Sequence, residues 1–225
     1  MPDEEIASGG VPSSEADRLN ALAYYEILDT PAEDGFDTLC RLAAAAFECT
    51  DAHICFVGPD HVSYKATTGT LADNTINKEN SPCALSIDSN EVTILNDSDN
   101  DTPHHTFYAA APIITNEGFV LGTIAVTDSK PHPIVTPQQI NMLQLLASLI
   151  MEKLEIRLSD KKVAATYNER LRTLAHDIKN PVTSISLYAQ LLGAKEMHHD
   201  KVFTMAGRIE TSLKRIEEQL NNLFI

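Results

Sequence analysis

The chain has 225 residues, 43% of them hydrophobic, with four cysteines and a formal net charge of −15, enough for one large globular domain or two modest ones. No apolar run approaches the roughly 18 residues of a membrane span, and the acidic opening MPDEEIASGGVPSS lacks the basic-then-apolar order of a signal peptide, so a cytoplasmic address without a membrane partner is expected. Residues 1–160 carry 7 basic and 25 acidic side chains and residues 161–225 carry 10 and 7, a shift that predicts a domain boundary nearby and argues against nucleic acid as a partner.

Residues 1–14 are rich in Pro, Ser, Gly and acids and read as a disordered lead-in. Leu19, Leu22, Ala23 and Ile27 place an apolar face on a first helix that ends at Asp29-Thr30-Pro31. A second helix spans about 33–47, with Phe36, Leu39, Cys40, Ala43 and Phe47 as its stripe. HICFV (53–57), the turn Gly58-Pro59-Asp60 and HVSYKAT (61–67) predict an antiparallel hairpin. The polar connection over 69–90 is long for a simple loop and is a candidate binding segment. A short strand over 92–96 and an acidic loop over 97–102 follow. FYAAAPIIT (107–115) and FVLGTIAVTD (119–128), joined at Asn116-Glu117-Gly118, read as the two longest strands. Thr136 then caps a long helix that has Pro137 at its first position.

Within that helix Tyr167, Leu171, Leu174, Ile178, Pro181, Ile185, Tyr188 and Leu192 recur at steps of four and three, the seam of a helical bundle. With Leu171 at position a, His176 falls at f, farthest from the seam and facing water. An exposed histidine on a rigid helix, with Asp177 beside it, suits a phosphoryl acceptor. The helix's first half has a seam at Leu143, Ala147, Ile150 and Leu154, a register that places Arg157 and Lys161 inside. The second half turns Ala164, Tyr167 and Leu171 inward, so the register must slip between 154 and 164, a plausible bistable element. After a break at 193–200 a second amphipathic helix carries Val202, Met205, Ile209, Leu213, Ile216, Leu220 and Leu223 inward.

The layout is α+β. RLNALAYYEILDTPAEDGFDTLCRLAAAAF and HHTFYAAAPIITNEGFVLGTIAVTDSKPH resemble the GAF domains that precede bacterial signalling enzymes, including the "ILDTP" opening. LAHDIKNPVTSI (174–185) is similar to the H-box of the HisKA dimerisation and phosphoacceptor domain of sensor histidine kinases. The resemblance implies three parts: a lead-in at 1–14, a GAF sensor at 15–156 with an antiparallel sheet and flanking helices, and a signalling helix with a phosphoacceptor hairpin at 157–225. Two such hairpins form a dimeric four-helix bundle. The resemblance also assigns His176 as the phosphorylated histidine and Asp177 as the adjacent acid. Asn180 would orient the water that dephosphorylates a response-regulator aspartate. After Asp160 the only glycines are Gly193 and Gly207, so the Gly-rich phosphate loops of an ATP-binding domain are missing. ATP and magnesium are expected only through a kinase catalytic domain in cis or in trans, and no cofactor in this stretch. The reading is a homodimeric sensor and phosphoacceptor fragment of a kinase, partnered by a response-regulator receiver domain and by that catalytic domain.

A non-catalytic GAF dimer that binds a regulator is the alternative, and a GAF-type methionine sulfoxide reductase a third reading. The reductase needs a low-pKa thiol with a resolving partner. Cys40 and Cys55 lie on core faces, which leaves Cys83 alone in an exposed-looking loop. Tyr64, Cys83, His104, His105 and Tyr108 lie near the expected rim of a ligand pocket whose ligand the residues do not identify. Cys83 is followed by Ala84-Leu85 where a Cys-His pair attaches bilins in related photoreceptors, so no chromophore is expected. No metal is expected either, because His104-His105 and His198-His199 are adjacent pairs whose side chains diverge.

Overall fold

The computed structural model describes residues 14–69, 74–96, 106–132, 134–193 and 199–221. The lead-in, apart from Ser14, and the acidic loop beyond Asn96 lie outside them. The chain divides into two compact units, Met1–Leu158 and Ser159–Ile225.

In the first unit α1 (Glu15–Tyr25) and α2 (Asp34–Phe47) precede β1 (Asp51–Val57), β2 (His61–Thr67) and β3 (Thr75–Asn77). A short helix α3 (Pro82–Leu85), flanked by two single 3₁₀ turns, leads to β4 (Thr93–Asn96), β5 (Phe107–Ile114) and β6 (Val120–Asp128). The long helix α4 (Pro137–Leu192) leaves the sheet, and α5 (His199–Asn221) ends the described chain. The sheet order is β3-β2-β1-β6-β5-β4 with every pair antiparallel. The two predicted hairpins and the long pair of central strands are present. The segment over 69–90 is not a plain connection, since it supplies β3, α3 and the two 3₁₀ turns.

Alternation along the strands sends one set of side chains to each face. Ala52, Ile54 and Phe56 of β1, Phe107, Ala109, Ala111 and Ile113 of β5 and Leu121, Ile124 and Val126 of β6 join the main core under α1, α2 and the first half of α4. The opposite face buries Cys55, Val57, Val62 and Val120 against Cys83 and Ile87. Gly122 is required at the centre, because a Cβ there would lie 2.0 Å from the carbonyl oxygen of Cys55.

α1 turns Arg18, Leu22 and Tyr25 inward with Leu19 packed beside them, and Ile27 just beyond it is buried, as expected, whereas Ala23 is exposed and Arg18 takes a place on the buried face. The reason is polar. Arg18 donates to the carbonyl of Val57 at 2.8 Å and pairs with Glu15 at 2.6 Å, which anchors α1 across the end of β1. That arginine holds the Glu15 carboxyl down at about pH 2 against a smaller opposing effect of burial.

α4 buries Leu143, Leu146, Ala147, Ile150, Met151, Leu154 and Leu158. The predicted register does bring Arg157 inward, and it is satisfied there. Its guanidinium donates to Glu33 Oε1 at 2.9 Å and to the carbonyls of Tyr25 and Glu26 at 3.1 and 3.0 Å, capping the end of α1. Glu33 also accepts from Lys65 at 2.7 Å, a side chain only 1% exposed that donates as well to Thr30 Oγ1 and the Pro31 carbonyl. The expectation that Ala164, Tyr167 and Leu171 face inward after a slip of register is not met in a single chain. All three are exposed, and so is Lys161, which the unslipped register would have placed inside.

Removing the Glu33 charge leaves Lys65 buried without its carboxylate. Breaking a buried pair costs roughly 3–5 kcal/mol and an exposed pair little, and the Glu33 side chain is 36% exposed. Glu33→Gln should therefore lower the unfolding free energy by about 2 kcal/mol in urea titrations. At Glu33 burial pushes the carboxyl up, but hydrogen bonds from Lys65 and Arg157 together hold it below its usual value. Its contribution is thus complete above the usual carboxylate range and is lost as pH falls below it. The variant's stability should change less over that acid range than the wild type's.

Candidate functional site

Among the described residues, side chains capable of chemistry gather in both units. In the second unit His176 lies on α4 with its side chain 73% exposed, and its Nδ1 is 3.4 Å from Asp177 Oδ1. Asn180 is also exposed, one turn on. On the other side of the same helix Leu174, Ile178, Ile185, Tyr188 and Leu192 are partly covered and Pro181 is buried. The predicted seam and the predicted exposure of His176 therefore coexist on one helix.

Pro181 stands inside α4 without ending it. A proline there removes the amide that would bond the carbonyl of residue 177. Immediately beyond, Thr183 and Ser184 hydroxyls donate to the carbonyls of Lys179 and Asn180 at 2.8 and 3.1 Å. Across from this helix Met205, Ile209 and Ile216 of α5 are partly covered, and Arg208 Nη1 donates to the Tyr188 hydroxyl at 3.0 Å. Val202, Leu213 and Leu220, expected inward, are exposed in the single chain, since one helix hides only part of its neighbour's apolar stripe. Leu223 lies outside the described residues. Tyr167, Leu171 and Leu174 line an open groove with Gln219.

In the first unit the sheet face opposite the long helix holds a buried polar cluster. Cys83 Sγ lies 3.4 Å from His53 Nε2, and Cys55 Sγ lies 3.2 Å from Thr123 Oγ1. Ser86 Oγ is 3.2 Å from the Tyr108 hydroxyl, and Tyr64 sets its ring edge-on to His53 at 5.3 Å. Cys83 is 1% exposed and sits on α3, which corrects the reading of it as a lone thiol in an exposed loop. Ser81 accepts from the Cys83 amide at 3.2 Å, starting a helical turn that carries the thiol under the sheet. The hydrogen bond from Cys55 and the neighbouring His53 draw the Cys83 thiol below its ordinary range, whereas burial pushes Cys55, Tyr64 and Tyr108 up.

The structure thus brings together Tyr64, Cys83 and Tyr108 of the predicted rim, whereas His104, His105 and His198 lie outside the described residues. Sequence reading missed His53 and Ser86. The signal for His53 was available, since it shares a strand face with Cys55 two residues on, but its meeting with Cys83 depends on the α3 turn. Among the described residues one set of metal-ligating atoms converges, from Cys49, Asp128 and His132. No helix among them is long and apolar enough to cross a membrane.

The family model for the GAF domain matches residues 21–154, and that for the His Kinase A (phospho-acceptor) domain matches residues 167–224. The cyclic di-GMP phosphodiesterase PA2567 of Pseudomonas aeruginosa is 25% identical over 160 residues, covering 66% of this chain and 27% of that relative. The chain thus spans about a quarter of that relative's length. Among solved structures, the GAF domain of an Acinetobacter phosphoenolpyruvate-protein phosphotransferase is 13% identical with a TM-score of 0.48, covering 69% of this chain and 99% of the other. The free methionine-R-sulfoxide reductase of Neisseria meningitidis is 12% identical with a TM-score of 0.48 and the same coverage.

Access, more than thiol acidity, separates the cysteines: Cys40, Cys55 and Cys83 are buried and Cys49 is partly exposed. In chelator-treated native protein, iodoacetamide should modify Cys49 first, and slowly, because burial and the nearby Asp128 push that thiol up to about 12. The other three should react only on unfolding, with peptide mass mapping as the readout.

Proposed function

We propose, on the premise that this chain belongs to the GAF domain family and continues into a HisKA phospho-acceptor domain, that it is the sensor and phosphoacceptor part of a two-component histidine kinase. The observation that carries the reading is His176, held in water on a helix whose other side is partly covered, with a carboxylate at its Nδ1. A neutral imidazole whose Nδ1–H donates to Asp177 keeps its Nε2 lone pair free. Nε2 then forms a bond to the γ-phosphorus of ATP as the bond to the bridging oxygen of ADP breaks, and Asp177 stabilises the positive charge that develops on the ring. His176 is in this sense a substrate presented on a surface. ATP and magnesium arrive on a kinase catalytic domain, in cis or in trans.

The phosphoryl group next passes to an aspartate of a response-regulator receiver domain. Asn180, one turn from His176, serves the reverse task by orienting a water in line with that aspartyl phosphate. Homodimerisation through α4 and α5 supplies the missing cover for Val202, Leu213 and Leu220, which one chain leaves exposed. The whole operates in the cytoplasm, with the GAF unit responding to a ligand through its polar interior.

Incubation with a separately supplied kinase catalytic domain and γ-labelled ATP should give an acid-labile, alkali-stable label on the wild type and none on His176→Gln. An unlabelled wild type would favour a GAF dimer that binds a regulator without phosphotransfer. Asn180→Ala should keep the label but slow dephosphorylation of a phosphorylated receiver domain by at least about tenfold, measured by phosphate release.

A further inference from the structure

At the end of the sheet where β6 stops, three side chains of different chemistry meet. Cys49 follows the left-handed turn at Glu48 that closes α2, Asp128 is the last residue of β6, and His132 lies on the stretch leading to α4. His132 Nε2 is 3.7 Å from Cys49 Sγ and 3.1 Å from Asp128 Oδ2, and the three ligand atoms all lie within 4.8 Å of one another. We infer that Cys49, Asp128 and His132 form a zinc(II) site.

The distances can be compared with a tetrahedral centre. Zinc bonds of about 2.3 Å to sulfur and about 2.0 Å to nitrogen and oxygen set sulfur and nitrogen about 3.5 Å apart, and nitrogen and oxygen about 3.3 Å apart. The observed edges of 3.7 and 3.1 Å each lie within a few tenths of an ångström of those values. A simple His132–Asp128 hydrogen bond explains one edge. It does not explain why a thiol from another element is aimed at the same ring nitrogen.

The ligands are also held from behind. The His132 ring stacks on Phe107 at 4.4 Å, and its main-chain carbonyl accepts from Asn96 Nδ2 at 2.7 Å. Asp128 Oδ1 accepts from the Lys130 amide at 3.0 Å, which leaves Oδ2 to face the histidine. Such outer contacts fix ligand orientation. Sulfur, imidazole and carboxylate together select zinc over magnesium or calcium, which take oxygen ligands. Binding replaces the Cys49 thiol proton, released to solvent, with a zinc–sulfur bond, and leaves a fourth position for water. The ion ties the end of α2, the end of β6 and the approach to α4 at one point.

The test uses the full chain, stripped with chelator and dialysed against zinc chloride, then assayed by emission spectroscopy. Close to one equivalent should be retained. Cobalt(II) in its place should give intense tetrahedral visible bands and a thiolate charge-transfer band. Cys49→Ser and His132→Gln should abolish that band or weaken binding by more than about tenfold, whereas Cys83→Ser should leave it intact. Zinc should also protect Cys49 of the wild type from iodoacetamide, a measurement that needs no variant to fold. Absence of retained zinc, equal binding in Cys49→Ser and His132→Gln, or no protection of Cys49 each overturns the site. Phosphotransfer at His176 is a separate readout, so failure of one leaves the other standing.

Discussion

A lysine buried to 1% exposure inside a sheet-and-helix core demands a carboxylate and fixed carbonyls around it. Lys65 obtains the carboxylate from Glu33, a carbonyl from Pro31 and a hydroxyl from Thr30, which ties the loop between α1 and α2 to β2. Glu33, placed there, has a second oxygen-bonding partner in Arg157. Arg157 in turn holds the last carbonyls of α1. One buried ammonium thereby organises the end of α1, the start of α2 and the last turn of α4 that packs on the sheet.

The two faces of the sheet do different work. The face under the helices is apolar from Ala52 to Val126 and supplies stability. The other face has Cys55, Thr123 and Tyr108 on its strands and receives Cys83 and Ser86 from the irregular segment after β3. Such a cluster is costly to bury unless its members bond one another, and they do. The segment that encloses this polar interior is non-repetitive, whereas β1, β6 and β5 run through the middle of the sheet as one continuous ladder.

In the second unit the division of labour runs around a helix. Leu174, Ile178 and Pro181 are drawn under cover while His176 stays in water. The helix backbone, more than any network of side-chain bonds, fixes the imidazole, and Asp177 is its polar partner among the described residues.

Periodicity alone determined much of this. The helix seam through Leu174 and Leu192, the exposure of His176, the hairpins and the long central strands all follow from spacings of 3.5 or 2, which any chain of that pattern must obey to hide its apolar groups. Local pattern is silent where distant segments meet. Arg18 joins Leu22 on the buried face of α1 because the Val57 carbonyl receives it, a reason no apolar pattern carries, and Ala23 is left exposed. Cys83 looked exposed because it lies in the long polar connection over 69–90, yet the turn at Ser81 folds it against His53, 30 positions away. Arg157 looked like a register fault until the end of α1 arrived to receive it, and Cys49 meets His132 across 83 positions. Pairings of that range are decided by how sheet and helices stack, and no window of sequence contains both partners.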